Sequence, residues 1–316
     1  MKCFDFHVET HSGVNYEEKL TSTTNIATSV INGISSPLAV FTNTLVILAI
    51  IRKPSLHTPF NILLSSMAFT DLLVGLVLQP ATIVVRLHNQ ASSFCPIKIT
   101  VSLVEYFLTC VFFTSLSIIS VDRYLILFYA LHYNNIVTKR RWITVVAFIW
   151  LSWTVLVNFR LFGLPKVFWM SLYVIWAIGI LVTLTVCIKI IFLVRRHQRE
   201  IVAQHSRVQN LQIRNHQNDE SVSEITESHS ENTVHRRKQA KAAITVVYIV
   251  IVFLACYIPI GIVYIYTKSF SETLQSKAAE HWCEAFFYLS SALNPIIYLL
   301  RSSEMRAAVK QVLKLK

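Results

Sequence analysis

The chain has 316 residues, of which 54% are apolar and 15% charged, and it carries a formal net charge of +12. So many apolar residues with so few charges exclude an ordinary soluble domain. The basic excess gathers on one side of the apolar runs, which argues against a nucleic-acid partner and for a topology signal that also meets anionic lipid headgroups.

Residues 1–25 are polar and lack an apolar stretch followed by a small-residue cleavage site, so they read as an extracellular N-terminal segment rather than a cleaved signal peptide. Seven apolar runs follow, at Ile26–Ile51, Asn61–Val85, Ile99–Phe128, Trp142–Leu161, Val167–Val194, Ala242–Tyr266 and Trp282–Leu300. Each is long enough to cross a hydrocarbon core about 30 Å thick, since roughly 20 helical residues suffice at about 1.5 Å each. Helices satisfy the backbone in lipid, and the runs show none of the two-residue alternation of a membrane barrel. The predicted fold is therefore all-α, a seven-transmembrane helix bundle over residues 26–300.

The first run carries Asn43, and the second carries Asp71 in "MAFTD". The third holds Glu105 and ends on Asp122, Arg123 and Tyr124, ahead of the basic Lys139–Arg141. After a very short connection between the fourth and fifth runs comes the polar stretch 195–241, whose basic ends lack helix breakers and should extend the flanking helices while its centre stays mobile. The sixth run contains Tyr257 and Pro259, and the seventh contains "LNPIIY". Past Leu300, Met305, Ala308, Val309 and Leu313 recur at helical spacing with basic residues opposite, predicting a short cytoplasmic amphipathic helix over 301–316 on the inner leaflet.

Lysine and arginine fix the orientation, because basic loops stay in the cytoplasm. With the N-terminus outside, 20 of the 29 basic residues fall on the inner side and 8 on the outer side, Arg86 counted among the latter, with Lys189 inside the fifth run. A multi-pass plasma-membrane protein with an extracellular N-terminus is expected.

Ionisable and amide groups inside apolar runs are costly, so each is a functional candidate. Asp71 lies roughly 15 Å deep by helical rise, and Asn43 and Asn294 fall at comparable depths. Pro259 and Pro295 each remove a backbone donor and free a carbonyl one turn back, which kinks the helix and leaves a bundle able to adopt two packings. Asp122 beside Arg123 permits an ionic latch that opens when Arg123 turns to another partner. Glu105 precedes Arg123 by 18 residues, five helical turns, so both project from one face of the third helix.

Asn43, "MAFTD", "DRY" at 122–124, Trp150, Pro259 and "NPIIY" at 294–298 occur in order on their expected helices, and the chain resembles the rhodopsin-class (class A) G-protein-coupled receptors over nearly its whole length. "VDRYLILFYALHYNNIVTKRR", "RRHQREI" and "YLLRSSEMR" are similar to melanocortin receptors, within a neighbourhood that includes adenosine receptors. The resemblance implies that Arg123, Tyr124 and Tyr298 take part in activation and in engaging a heterotrimeric G protein, with Asp71 and Asn294 as the central relay. It also implies an extracellular ligand and no cofactor. The chain departs from the pattern at Tyr257, where a tryptophan is usual, at Cys187 in place of a tyrosine, and at Phe112, where a serine would help hold sodium. The family's customary bridge to the second outer loop has no cysteine there, so Cys95 is left to pair with Cys3 or Cys283 or to stay free.

In aminergic receptors, similar at the class level, the position of Glu105 holds an aspartate that binds the ligand's ammonium, steadied by a tyrosine matching Tyr288. Glu284 adds a second carboxylate one turn above Tyr288, Ser171 offers a hydroxyl, and Tyr257 and Tyr264 line the approach. The expected ligand is cationic, a small amine or a basic peptide side chain. A transporter or channel lined by Glu105 and Asp71 is the alternative. Retinal photoreception lacks its Schiff-base lysine in 282–300, and no constellation of nucleophile and base suggests an enzyme.

Overall fold

The computed structural model describes residues 14–87, 95–129, 133, 137–162, 164–214, 220–269 and 273–314. No strand occurs among them, and seven helical segments are long and apolar enough to cross a membrane. These spans, numbered one to seven, are Ser22–Arg52, Pro59–Leu87, Pro96–Phe128, Lys139–Arg160, Lys166–Glu200, Ala243–Val263 and Leu274–Leu300. Below, the end of the bundle that holds Arg52, Arg123 and Lys139 is called the basic end.

Several helices begin well before their apolar runs. The first runs Val14–Arg52, and the last spanning helix starts at Leu274 rather than near Trp282. Its start is set by Thr273 and Ser276, each side chain bonding the other's backbone N–H in a capping box. Just before the first apolar run Thr24 and Asn25 are buried against other helices, and Thr28, Ser29 and Asn32 continue that polar face into the run. At the polar stretch 195–241 the flanking helices continue further than their basic ends suggest, as Pro165–Arg214 and Glu220–Ser269. The expected mobile centre, residues 215–219, lies outside the described residues.

Span two is not a uniform α-helix. Pro80 supplies no N–H, and the turn just before it, Val74–Leu78, widens into a π-helical segment. Gly75 lies in this turn, where an added Cβ would sit 3.0 Å from both the Ser36 carbonyl and the Ala39 Cβ. Ser36 Oγ donates to the Gly75 carbonyl at 2.7 Å, pinning spans one and two together.

Aromatic rings fill the middle of the bundle. Phe113 and Phe112 of span three stack on Phe253 of span six, with centroids 5.3 and 5.4 Å apart, and Phe113 stacks on Trp176 of span five at 5.0 Å. Trp150 and Trp153 of span four donate to Ser66 and Thr114, each at 3.0 Å. At the basic end the terminal helix Ser303–Val312 buries Met305, Ala308 and Val309, so its apolar face packs on the bundle and only Leu313 stays open. Arg306 Nη1 donates to the Leu299 and Leu300 carbonyls, closing the end of span seven.

Candidate functional site

Polar side chains meet inside the bundle at three levels. Farthest from the basic end, Tyr288 of span seven donates its hydroxyl to Glu105 Oε1 of span three at 3.0 Å. Tyr288 is 1% exposed and Glu105 half-buried. One turn along span seven, Glu284 is held by Arg86 of span two through Nη2–Oε2 at 2.5 Å, with side-chain exposures of 18% and 4%. Arg86 Nη2 also reaches the His281 carbonyl at 3.5 Å, and the Arg86 carbonyl accepts from Asn25 at 3.5 Å. Asn25 Oδ1 in turn meets His281 Nδ1 at 3.0 Å. Spans one, two, three and seven are thus tied at this end, spans two and seven by a charge-assisted pair and span one by the neutral bonds of Asn25.

The central level joins Asp71, Asn294 and Asn43. Asn294 Nδ2 donates to Asp71 Oδ2 at 2.9 Å. Asn43 does not join Asp71 directly; its Nδ2 donates to the Ser291 carbonyl at 3.0 Å and the Ala39 carbonyl at 2.9 Å. Ser291 lies four residues before Pro295, so its carbonyl is the one that proline leaves without a helical donor, and Asn43 supplies the missing bond. Phe112 is buried on the Phe253 ring. Tyr257 stacks on Phe253 at 4.1 Å and meets Phe287 edge-on at 4.6 Å, within electrostatic reach of both Glu105 and Asp71.

At the basic end Arg123 turns to its neighbour. Its Nε and Nη2 donate to Asp122 Oδ2 at 3.1 and 2.5 Å, and its guanidinium lies 4.0 Å over the Phe60 ring. Asp122 is fully buried, and its other oxygen accepts from the Tyr133 hydroxyl at 2.5 Å. Burial first, and then the charge of Asp122, push the Tyr133 phenol above the ordinary tyrosine range, so it stays a donor. Tyr124 stacks on Phe128 at 5.5 Å, with Lys189 Nζ 5.7 Å from its ring. Tyr298 is buried with its hydroxyl unbonded, and Pro295 is buried while Pro259 faces outward.

Of the residues singled out in the sequence, the structure brings together Glu105, Tyr288 and Glu284 at one level and Asp71 and Asn294 at another. Ser171 bonds its own helix through the Phe168 carbonyl at 2.9 Å. The Tyr264 side chain lies outside the described residues, as do Cys3 and the side chain of Cys95. Cys283 is half-buried with a free thiol. Sequence reasoning missed Arg86, which it counted in an outer segment although the side chain is buried in span two, and with it Asn25 and His281. It also missed Tyr133, which sits in a connection without periodicity. An arginine and a glutamate at the same ends of spans two and seven were the available signal for the first.

Residues 42–298 match the family described as 7 transmembrane receptor (rhodopsin family). The chain is 28% identical to melanocortin receptor 5 of Rattus norvegicus over 280 residues, covering 86% of this chain and 79% of the relative. It is 26% identical to melanocortin receptor 4 of Danio rerio over 287 residues, covering 85% and 78%. The crystal structure of squid rhodopsin shares the fold with a TM-score of 0.74 at 18% identity, covering 93% of this chain and 86% of that one.

Proposed function

Since the chain belongs to the rhodopsin family of seven-transmembrane receptors, we propose that it binds an extracellular cationic ligand at Glu105 and activates a heterotrimeric G protein at its basic end. The matching family is one of membrane receptors, which favours a receptor over the transporter or channel alternative. The basic end faces the cytoplasm, residues 1–25 are extracellular, and residues 301–316 are cytoplasmic.

The carrying observation is Glu105 itself, a carboxylate inside the bundle whose described partner is the neutral Tyr288 hydroxyl, with Arg86 committed to Glu284 next to it. An ammonium or guanidinium arriving there gains a charge-assisted bond in a setting of low dielectric. Glu284, Ser171 and Tyr257 are the further ligand contacts in this reading, with Tyr264 a candidate from the sequence alone. Occupancy shifts span seven against span three, and Tyr257 carries the change towards Asp71 and Asn294, with Asn43, Pro259, Pro295 and Tyr298 permitting a second packing of spans six and seven. Arg123 then leaves Asp122, and with Tyr124 it meets the G protein.

Screening amines and basic peptides on cells that display this chain tests the proposal through a second-messenger response. The expected result is a saturable response to a cationic compound that is absent from cells without the chain. Responses confined to neutral or anionic compounds would contradict it.

A further inference from the structure

Arg86 holds Glu284 with one nitrogen only. Its second terminal nitrogen, Nη1, is buried and makes no hydrogen bond among the described residues, in a residue 5% exposed. Leaving a buried guanidinium donor unsatisfied is costly, so its position is informative.

Arg86 stands at one end of a buried polar stretch shared by spans one and two. Spans one and two run antiparallel and are tied at two points, Asn25 to the Arg86 carbonyl and Gln79 Nε2 to Ser35 Oγ at 2.7 Å. Between the two ties fall Ser29, Asn32 and Thr82, all buried. Ser29 Oγ and both amide atoms of Asn32 form no hydrogen bond among the described residues either. Asn25, Ser29 and Asn32 recur at i, i+4 and i+7, and Gln79, Thr82 and Arg86 at i, i+3 and i+7, so each set shares a helix face. The charges nearby are Glu284, Glu105 and Glu280 against Arg86 and Lys277, with His281 alongside. Carboxylates outnumber the cations, so a second anion is disfavoured there.

We infer that Arg86 is a specificity-determining residue that selects ligands carrying a neutral carbonyl oxygen beside their single cation. The cation goes to Glu105, and the carbonyl accepts from Arg86 Nη1 against the polar wall of spans one and two. Glu284 is already neutralised and calls for no second cation. Tyr288, which holds Glu105, and Glu284, which holds Arg86, stand one helical turn apart on span seven, so a short linker joins the ligand's two groups. A basic side chain near a peptide carbonyl, or a small amino-amide, has this form. The inference rests on the cation reading of Glu105.

The test measures binding to the purified full chain in phosphatidylcholine nanodiscs, by thermal shift, for butylamine, 4-aminobutanoate and 4-aminobutanamide. The amide should bind about tenfold tighter than the other two, the scale of one hydrogen bond to a charged donor. Because Arg86→Gln alone strands Glu284, the comparison variant is Arg86→Gln with Glu284→Gln, which keeps the charge balance. In it the three amines should agree within about twofold. No preference for the amide in the parent chain, including no measurable binding, overturns the inference, and so does a preference that persists in the double variant. Glu105→Gln separates the two ideas: undiminished butylamine binding in it overturns the cation reading and the inference that rests on it, whereas weakened butylamine binding with no amide preference in the parent chain overturns the Arg86 assignment alone.

Discussion

Asp122 shares its two oxygens between Arg123 and Tyr133, so the latch at the basic end is a three-residue unit. Asp122→Asn removes the charge that holds Arg123, and ligand-independent nucleotide exchange on a G protein should rise several-fold in membranes at equal receptor density. Tyr133→Phe removes one neutral donor and should produce a smaller rise in the same assay. Equal basal exchange in all three proteins would mean that the pair does not restrain activation. The upward shift of the Tyr133 phenol is a stabilising contribution of the protonated form. It is fully present below the ordinary tyrosine value near pH 10 and is lost only as pH rises through the higher folded value. At physiological pH Tyr133 therefore remains a donor to Asp122. Elsewhere, Gly179 admits the Phe113 ring so closely that an added Cβ would lie 2.6 Å from its Cε1, while that ring is locked between Trp176 and Phe253. Gly179→Ala should cost about 1–3 kcal/mol, read as a lower thermal denaturation midpoint.

At the scale of elements, span seven organises the bundle by bonding to span one through Asn43, to span two through Asp71 and Arg86, and to span three through Glu105. Asn43→Ala leaves the Ser291 carbonyl without its donor and should cost about 1–3 kcal/mol. Glu284→Gln strands the buried Arg86 charge and should cost about 3–5 kcal/mol, much of it recovered when Arg86→Gln is added. A thermal denaturation series on the single and double variants checks both. The seven spans were legible because lipid demands long apolar runs. Their starts were not, because a helix face turned to its neighbours is as polar as a loop, as buried Thr24, Asn25 and Ser276 show. The alignment of Glu105 with Arg123 followed from five helical turns. The partner of Glu284 did not, because Arg86, near the end of an apolar run, resembles any boundary charge until the helix is seen to bury it.

For the whole molecule, the proposed function runs along the three polar levels, from Glu105 past Asp71 to Arg123. The direction of that path depends on the assigned orientation. An epitope placed in residues 1–25 should be stained on intact cells; staining only after permeabilisation would invert the topology and the path with it. The central claim is that a cation at Glu105 drives exchange at the basic end. Its most direct test is the concentration dependence of G-protein nucleotide exchange for a cationic agonist, comparing the parent chain with Glu105→Gln. The account predicts a loss of potency of about tenfold or more, as for removing one charged partner of a buried contact, with basal exchange retained. Identical potencies in the two proteins would contradict it.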